Sequence, residues 1–240
     1  ASQGYASLHL QHDGSDRKVW CGSRLTLPFR LMDAADTTEA LARVQDVKFA
    51  LDQILASEYA ADFDQQNIMM AGHSYGANTA MLLSGALVEQ NGSPVNLKDD
   101  RIKAAILISA PPFYNDQPLD KVLAEVNIPT LHITTTEDEI RVPGFYSSPQ
   151  DRYELYNAMA SSYKVLAVFS SGSHNIFSGW RGSKDTQPQQ QVIKAATQAL
   201  SSAFIEHITT EDSRAISLWA LQHQAVLSKF IRSDLVAMGD

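Results

Sequence analysis

Short apolar runs alternate with amphipathic helical patterns along this chain, and that alternation constrains its fold more than any other feature. The apolar runs have the length of buried strands, and the longer segments repeat their apolar residues at helical spacing. Strands that alternate with helices form a mostly parallel sheet with helices on both faces, so the sequence predicts an α/β fold. The predicted strands are residues 5–11, 67–71, 102–109, 129–134 and 163–169, and the predicted helices are 37–57, 77–87, 149–162, 188–207 and 212–236.

The segment IMMAGHSYGANT, residues 68–79, joins a predicted strand directly to a helix. Its centre has the pattern G-x-S-x-G. A strand-to-helix turn this tight forces its apex residue into an unfavourable backbone conformation, and we expect residues without a Cβ two positions either side of that apex. This is the pattern of a nucleophile elbow, and it predicts that Ser74 is a nucleophile. A glycine-rich turn without a chemical role is the alternative.

A serine nucleophile needs an adjacent imidazole, which a carboxylate must orient. His174 follows the strand 163–169 in the loop SSGSHN, at the end of a strand where such a base is expected. His12 ends the predicted strand 5–11 and is the weaker alternative. The remaining histidines lie within strands, in the elbow or in helices of the tail: His9, His132, His73, His207 and His223.

Three adjacent acidic residues, Glu137, Asp138 and Glu139, follow the strand 129–134. A solvated acidic loop is the plain interpretation of such a run. As the partner of the imidazole we favour Asp138, because a shorter side chain at the tip of the loop suits a fixed contact. Asp116 is a more distant alternative, since its loop follows the preceding strand.

Composition excludes several other classes of protein. The 240 residues carry a net charge of −8 without a Lys/Arg cluster, which argues against a nucleic-acid surface. We predict no membrane span, because no long uncharged apolar run is present. The single cysteine, Cys21, excludes an internal disulfide and a multi-cysteine metal site, and there is no H-E-x-x-H motif. We therefore predict no metal and no cofactor, while the cytoplasm and export both remain open.

Five segments that span nearly the whole chain carry a family resemblance: GHSYGANTA, RIKAAILISAPP, IPTLHITTTEDEI, DRYELYNAM and GSHNIFSGW. Together they resemble the dienelactone-hydrolase-like branch of the α/β-hydrolase superfamily. That branch borders the platelet-activating-factor acetylhydrolases, the chlorophyllases and the cutinase-type esterases. Carried over by position, the resemblance implies Ser74 as nucleophile, Asp138 as acid and His174 as base. The Tyr75 backbone N–H is then one donor of the oxyanion hole.

The chain departs from this family in two ways. Dienelactone hydrolase has a cysteine at the elbow, so lactone specificity does not carry over to Ser74, and ordinary esters fit better. The family takes its second oxyanion donor from the loop after the third strand, and no matching loop is identified in this sequence.

The resemblance makes residues 5–11 the fourth of the usual eight strands, so that strands one to three are absent from this sequence. In the family's sheet order the third strand lies between the fourth and the fifth. We therefore expect residues 1–240 to form a single, N-terminally incomplete α/β-hydrolase domain, completed by an earlier segment or a separate chain. If residues 5–11 pair directly with 67–71 instead, residues 12–15 become the candidate oxyanion loop.

These residues predict a serine carboxylic-ester hydrolase that acts on a small-molecule or polymeric ester. Residues 110–128 lie where lids are commonly inserted and are too few for a lid domain, which predicts an open cleft. Phe113 and Tyr114 are candidate substrate-binding residues at its rim, with packing as the alternative. The alternative functions are a serine peptidase of the same fold and a non-catalytic binding protein with a hydrolase fold.

Overall fold

The structure, a computed structural model, describes residues 3–15, 19, 21, 23, 26, 29–30, 36–90, 92–113, 117–142, 145–178 and 184–236. The helices within these residues are α1 (Thr37–Leu55), α2 (Tyr75–Ser84), α3 (Leu119–Val122), α4 (Pro149–Ala158), α5 (Gln187–Thr210), α6 (Arg214–His223) and α7 (Ser233–Val236). The strands are β1 (Ile68–His73), β2 (Leu87–Gln90), β3 (Ser93–Asn96), β4 (Ile102–Ile108), β5 (Thr130–Glu137), β6 (Ile140–Val142), β7 (Phe145–Ser147), β8 (Lys164–Ser173) and β9 (Leu227–Arg232).

The central sheet has the strand order β1-β4-β5-β8-β9. Its first four strands are parallel, and β9 pairs antiparallel with β8. Two hairpins, β2-β3 and β6-β7, lie outside this sheet. The mostly parallel sheet confirms the predicted α/β class, and its four parallel strands lie in the order expected for strands five to eight of an α/β-hydrolase sheet.

Helices cover both faces of the sheet, as predicted. Ala105 and Leu107 of β4 belong to a core that includes residues of α1, α2 and α4, whereas Ala104 and Ile106 belong to a second core with α5 and α6. This division follows from the strand itself, because successive side chains point to opposite faces. Among the described helices, none combines the length and the apolar character that a membrane crossing needs.

The prediction of a strand at residues 5–11 is wrong. These residues have no strand structure and do not belong to any sheet. Leu10 packs against the first core, but Leu8 is 54% exposed. A strand needs a neighbouring ladder as well as a suitable side-chain pattern, and this segment has none. The condition for an oxyanion loop at residues 12–15, pairing of 5–11 with β1, is therefore not met.

The prediction of one helix over residues 212–236 is also wrong. The structure has α6, a 3₁₀ turn at Gln224–Val226, the strand β9 and the short helix α7. The strand forms because β8 offers its edge for pairing, and because Phe230 and Ile231 pack on opposite faces of the sheet. Pairing with a neighbouring strand has overridden a local sequence that is compatible with a helix.

Candidate active site

Ser74 lies at the turn between β1 and α2, with φ 55° and ψ −123°. A positive φ is uncommon for a residue with a side chain and stores strain. The turn is held because the Ser74 amide donates to the Ile108 carbonyl of β4 at 2.9 Å. The elbow geometry expected for the sequence is therefore present, with the serine at its apex.

The two glycines of the elbow have different roles. A Cβ on Gly72 would lie 2.1 Å from the Gly76 carbonyl oxygen, so no side chain fits there. A Cβ on Gly76 would meet open space. The expectation that both positions exclude a Cβ is therefore correct for Gly72 and wrong for Gly76, whose carbonyl, and not its own Cα, makes the close approach.

The side chains of Ser74, His174 and Asp138 meet at the carboxyl ends of β1, β8 and β5. His174 Nε2 lies 2.8 Å from Ser74 Oγ, and His174 Nδ1 lies 2.7 Å from Asp138 Oδ1. With Nδ1 protonated, the imidazole donates to the carboxylate and accepts the serine proton at Nε2. The arrangement can therefore withdraw a proton from Ser74 along a continuous line of hydrogen bonds.

Asp138 is fully buried and has partners for both oxygens. Its Oδ2 accepts from Thr134 Oγ1 at 2.7 Å, and its Oδ1 accepts from Arg152 Nη2 at 3.1 Å in addition to His174. Burial acts to raise the pKa of Asp138, but the hydrogen bond from His174 and the charge of Arg152 outweigh it and hold the pKa well below its usual range. The carboxyl is therefore ionised at neutral pH.

The neighbouring acids point elsewhere. Glu137 and Glu139 are exposed, and Glu139 pairs with Arg141 at 2.9 Å on the surface. Asp116 lies outside the described residues. Of the three adjacent acids at the end of β5, Asp138 is the one that contacts the imidazole.

The loop that carries His174 is fixed by contacts along its backbone. Gly172 has a φ of 117°, and a Cβ there would lie 2.6 Å from a methyl group of Ile176. The Ser173 amide and hydroxyl donate to the two oxygens of Asp185 at 2.7 and 2.6 Å. Thr135 of β5 also donates its hydroxyl to the Gly172 carbonyl. The backbone on the N-terminal side of His174 is thereby tied to β5 and to Asp185.

His73, the residue before Ser74, supports the same loop from the opposite side. Its Nε2 donates to the His174 carbonyl at 3.0 Å, and the two ring centroids lie 4.9 Å apart. Burial, reinforced by the neighbouring His174, lowers the pKa of His73 to about 4. His73 is therefore neutral at neutral pH and acts as a hydrogen-bond donor to the loop.

Tyr75, the predicted source of an oxyanion donor, begins α2. Amides in the first turn of a helix point away from the helix body and favour an anion. The Tyr75 ring lies beneath the Arg43 guanidinium at 4.6 Å, and Arg43 donates to Thr79 of α2 at 2.8 Å and to Ser15 at 2.7 Å. The start of α2 is thus tied to α1 through Arg43. A second oxyanion donor is not identified among the described residues.

Of the two candidate substrate-binding residues, one lies within the described part of the chain. Phe113 is partly buried and packs against the first core, in keeping with the packing alternative. Tyr114 lies outside the described residues. His12 Nδ1 donates to Asp46 Oδ2 of α1 at 2.7 Å, and the hydrogen bonds of Ser74 and Asp138 go to other residues. In the described part of the chain, no three His, Cys, Asp or Glu side chains are grouped so as to hold a metal ion.

Sequence reasoning missed three groups that hold the site together: Arg152, Thr134 and the donor role of His73. Arg152 lies on α4, 14 residues beyond the acid it contacts. Nothing in that spacing marks it, because the contact depends on how α4 packs beside β5. Thr134 is four residues before Asp138, and only the turn after β5 brings the two side chains together.

Neither a model of a known protein family nor a curated protein matches the sequence. Several solved structures are similar over part of it. A cold-adapted esterase from an Arctic intertidal metagenomic library matches 72% of this chain at 20% identity, with a TM-score of 0.45. The match spans 60% of that esterase's own length.

Two further solved structures are similar at lower identity. Puromycin hydrolase matches 69% of this chain and 25% of its own, with 12% identity and a TM-score of 0.43. An acetyl ester-xyloside bifunctional hydrolase from Caldicellulosiruptor lactoaceticus matches 66% of each chain, with 14% identity and a TM-score of 0.41. Similarities this weak identify no substrate for this chain, whose chemistry is argued below from its own residues.

Proposed function

We propose that this protein is a serine hydrolase that cleaves carboxylic esters through an acyl-serine intermediate. Ser74 is the nucleophile, His174 the general base and Asp138 the acid of a catalytic triad. The observation that carries the proposal is the continuous chain of hydrogen bonds from Ser74 Oγ through both ring nitrogens of His174 to Asp138. A serine hydroxyl is a weak nucleophile at neutral pH, and this arrangement is the recurrent means of activating it.

Acylation begins when Ser74 Oγ attacks the ester carbonyl carbon and His174 Nε2 takes the hydroxyl proton. The imidazolium that forms is stabilised by Asp138, and the negative charge moves to the former carbonyl oxygen. His174 then passes its proton to the alcohol oxygen as the carbon–oxygen bond breaks. The products of this step are free alcohol and an ester of Ser74.

Deacylation repeats the sequence with water as the nucleophile. His174 takes a proton from the water as it attacks the acyl carbon, and then returns the proton to Ser74 Oγ. In both steps the developing oxyanion needs hydrogen-bond donors that are fixed in advance, since loss of one donor typically costs about 10²-fold or more in rate. The Tyr75 N–H is the donor that we assign from this chain.

Esters fit this site better than amides do. The carbonyl carbon of an ester is more electrophilic than that of an amide, which is stabilised by resonance with nitrogen, so attack by the Ser74 hydroxyl on an ester makes a smaller demand on oxyanion stabilisation. A serine peptidase remains the alternative function, and the pattern G-x-S-Y-G gives it some support.

We propose further that a strand from outside residues 1–240, or from a separate chain, pairs with the outer edge of β1 and supplies the second donor. The support is that β1 carries the nucleophile but has β4 as its single ladder partner among the described residues. Residues of β1 are partly or fully exposed as they stand, and a partner strand would cover them while pairing N–H and C=O groups that cost about 1–3 kcal/mol each when buried without partners. Amide hydrogen exchange tests this: in the isolated chain, β1 amides that face away from β4 should exchange much faster than those of β5. Equal protection would contradict it.

The function itself is tested with p-nitrophenyl esters of increasing acyl length, together with matching p-nitroanilides as amide substrates. We expect hydrolysis of the esters, little or no hydrolysis of the anilides, and loss of both in Ser74→Ala. A fluorophosphonate should label Ser74 covalently, as shown by mass spectrometry of the modified peptide. Preference for the anilides would favour the peptidase, and a folded protein without ester hydrolysis or labelling would favour the binding protein.

A further inference from the structure

Arg152 is a buried cation in contact with Asp138. Its side chain is 3% exposed, and its Nη2 donates to Asp138 Oδ1 at 3.1 Å. Its Nη1 donates to the Ser148 carbonyl at 3.0 Å and to the Ser147 hydroxyl. The guanidinium is therefore held from both sides, with the start of α4 on one side and the Asp138 carboxylate on the other.

The start of α4 is itself fixed, which limits how far Arg152 can move. Asp151 accepts from the Ser148 amide at 3.0 Å and from the Ser148 hydroxyl at 2.8 Å, so the first turn of the helix is capped. Asp151 also accepts from the Ser147 hydroxyl at 2.7 Å. These contacts lock the two serine groups that receive Arg152. A planar guanidinium held this way presents its remaining N–H groups in one orientation.

We propose that Arg152 is a positioning residue for the proposed ester hydrolysis, acting by fixing the plane of the Asp138 carboxylate and, through it, the ring of His174. The inference rests on the proposed function. Asp138 Oδ1 receives both His174 and Arg152, and Oδ2 receives Thr134, so three donors define the carboxylate plane. Without Arg152, two donors remain, one on each oxygen, and the carboxylate can rotate about the line that joins them.

The charge of Arg152 gives the proposal a readout that packing alone would not produce. Asp138 and Arg152 together are neutral while His174 is neutral, and the site gains one positive charge when the imidazolium forms. Arg152 therefore opposes protonation of the site, as any cation near a base does. Removing the cation should make the site bind a proton more readily, so that activity falls away at a higher pH on the acidic side.

The other groups near the Asp138–His174 pair do not supply this effect at neutral pH. His73 on β1 is neutral there, because burial and the neighbouring His174 lower its pKa to about 4. Burial likewise lowers the pKa of His132 on β5 to about 3; His132 lines a small cavity together with Arg152. Asp185 accepts from Ser173 in the His174 loop, and the exposed Glu137 and Glu139 flank Asp138. Among the described residues, Arg152 is the cation that contacts Asp138.

The chain offers a matched control in Arg232, another buried arginine paired with an aspartate. Its side chain is 3% exposed, and its Nη2 lies 2.6 Å from Asp234 Oδ2. Arg232 lies on β9, on the far side of β8 from β5, and its other partner is Ser217 of α6. Replacing Arg232 removes a buried cation from an ion pair, as replacing Arg152 does, and leaves the Asp138 contacts in place; its partner Asp234 is 34% exposed, whereas Asp138 is fully buried.

The test compares Arg152→Met, Arg152→Lys and Arg232→Met with the wild type. We measure kcat and KM for a p-nitrophenyl ester across pH 5–9, the rate of fluorophosphonate labelling at Ser74, and folding by near-UV circular dichroism. Displacement of reacting groups by a distant change can cost about 10²-fold, so we expect kcat of Arg152→Met to fall by about that factor with KM little changed. The acidic limb of the pH–activity profile of Arg152→Met should move to higher pH.

Arg152→Lys keeps the positive charge but lacks the planar, forked N–H donors of a guanidinium. The acidic limb of its pH–activity profile should therefore stay near the wild-type position, while its kcat falls by an intermediate factor. Arg232→Met should match the wild type in kcat and in pH profile. The inference is overturned if folded Arg152→Met keeps the wild-type kcat and the wild-type acidic limb of its pH profile. It is also overturned if Arg152→Met and Arg232→Met lose activity equally. If Arg152→Met does not fold, a lysine variant with wild-type kcat overturns it. A wild type that the fluorophosphonate does not label contradicts the proposed function, whatever the arginine variants do.

Discussion

The two sides of Ser74 are built differently. On one side, His174 donates to Asp138, and Asp138 is held by further hydrogen bonds from the side chains of Arg152 and Thr134. On the other side, Ser74 and the Tyr75 amide are placed by a strained turn at the end of β1, a strand with one ladder partner among the described residues. We call the side with Asp138 and His174 the acid–base side, and the side with the turn at Ser74 the elbow side.

Because the two sides are built differently, different kinds of substitution should disable them. The acid–base side depends on functional groups, so deleting or neutralising a side chain should disable it. The elbow side depends on backbone shape, so adding a single carbon atom should disable it. Substitutions of the two kinds should therefore have separable effects on activity and on stability.

The largest effect is expected from removing the proton-transfer pair. His174→Ala and Ser74→Ala should each lower kcat by about 10⁶-fold, because each leaves the other without a function. The double variant should be no worse than either single one. Steady-state kinetics with an activated ester measure all three. Losses that multiply in the double variant would mean that the two residues act independently, which the 2.8 Å contact between them does not allow.

Asp138→Asn should lower kcat by about 10⁴-fold, because an amide favours the wrong imidazole tautomer and does not stabilise the imidazolium. Glu137→Gln and Glu139→Gln are the matched controls, since both side chains are exposed in the same loop. We expect their kcat values within about twofold of the wild type. A large loss of kcat in either control would indicate that the catalytic carboxylate is not that of Asp138.

The elbow side is tested by a pair of alanine substitutions. Gly72→Ala places a Cβ at 2.1 Å from the Gly76 carbonyl oxygen, and we expect the free energy of unfolding to fall by about 3 kcal/mol or more, with loss of activity. Gly76→Ala places its Cβ in open space near the start of α2 and should change stability by less than about 1 kcal/mol in either direction. Urea denaturation measures both.

The outcome of that pair would separate the two kinds of damage. Equal destabilisation by Gly72→Ala and Gly76→Ala would show that the turn rejects any side chain, as the sequence pattern by itself suggests. A tolerated Gly76→Ala would show that the motif's second glycine is not required for space in this chain.

The sequence predicts the sheet well where strands are buried on both faces. The run at 102–109 is mostly apolar, and the run at 129–134 combines Leu131 and Ile133 with β-branched threonines; they form β4 and β5, which have partners on both sides. It fails for residues 5–11 and 227–232, because their patterns fit more than one structure. Whether such a segment forms a strand depends on which neighbour is within reach, and β9 is decided by the free edge of β8.

The site residues likewise fall into those that the sequence could predict and those that it could not. Ser74 and His174 could be proposed from chain order, because each follows a strand at the same edge of the sheet. Asp138 could be preferred to its neighbours but not separated from them, since the separation comes from burial: Asp138 is 0% exposed, whereas Glu137 and Glu139 are at the surface. Arg152 could not be proposed, because its contact depends on the packing of one helix against one strand.

The smallest expected effect concerns His73, which joins the two sides by donating from β1 to the loop of His174. Its pKa is about 4 in the folded protein, lowered by burial and by the neighbouring His174, and near 6.5 when unfolded. Between those values the unfolded chain binds more protons than the folded one, so acidification favours unfolding. Stability from this group is present above pH 6.5 and is lost as pH falls toward 4.

We therefore expect His73→Gln, which keeps an N–H donor but does not titrate, to lose less stability than the wild type between pH 7.5 and pH 5. Because the ring is only partly buried, we expect the difference to be about 1–2 kcal/mol rather than the full value of the shift. Urea denaturation at the two pH values measures it. Equal losses in both proteins would mean that His73 is protonated in the folded state at pH 5. In that case a protonated His73 still donates from Nε2 to the His174 carbonyl, and a second positive charge is tolerated beside the proposed base.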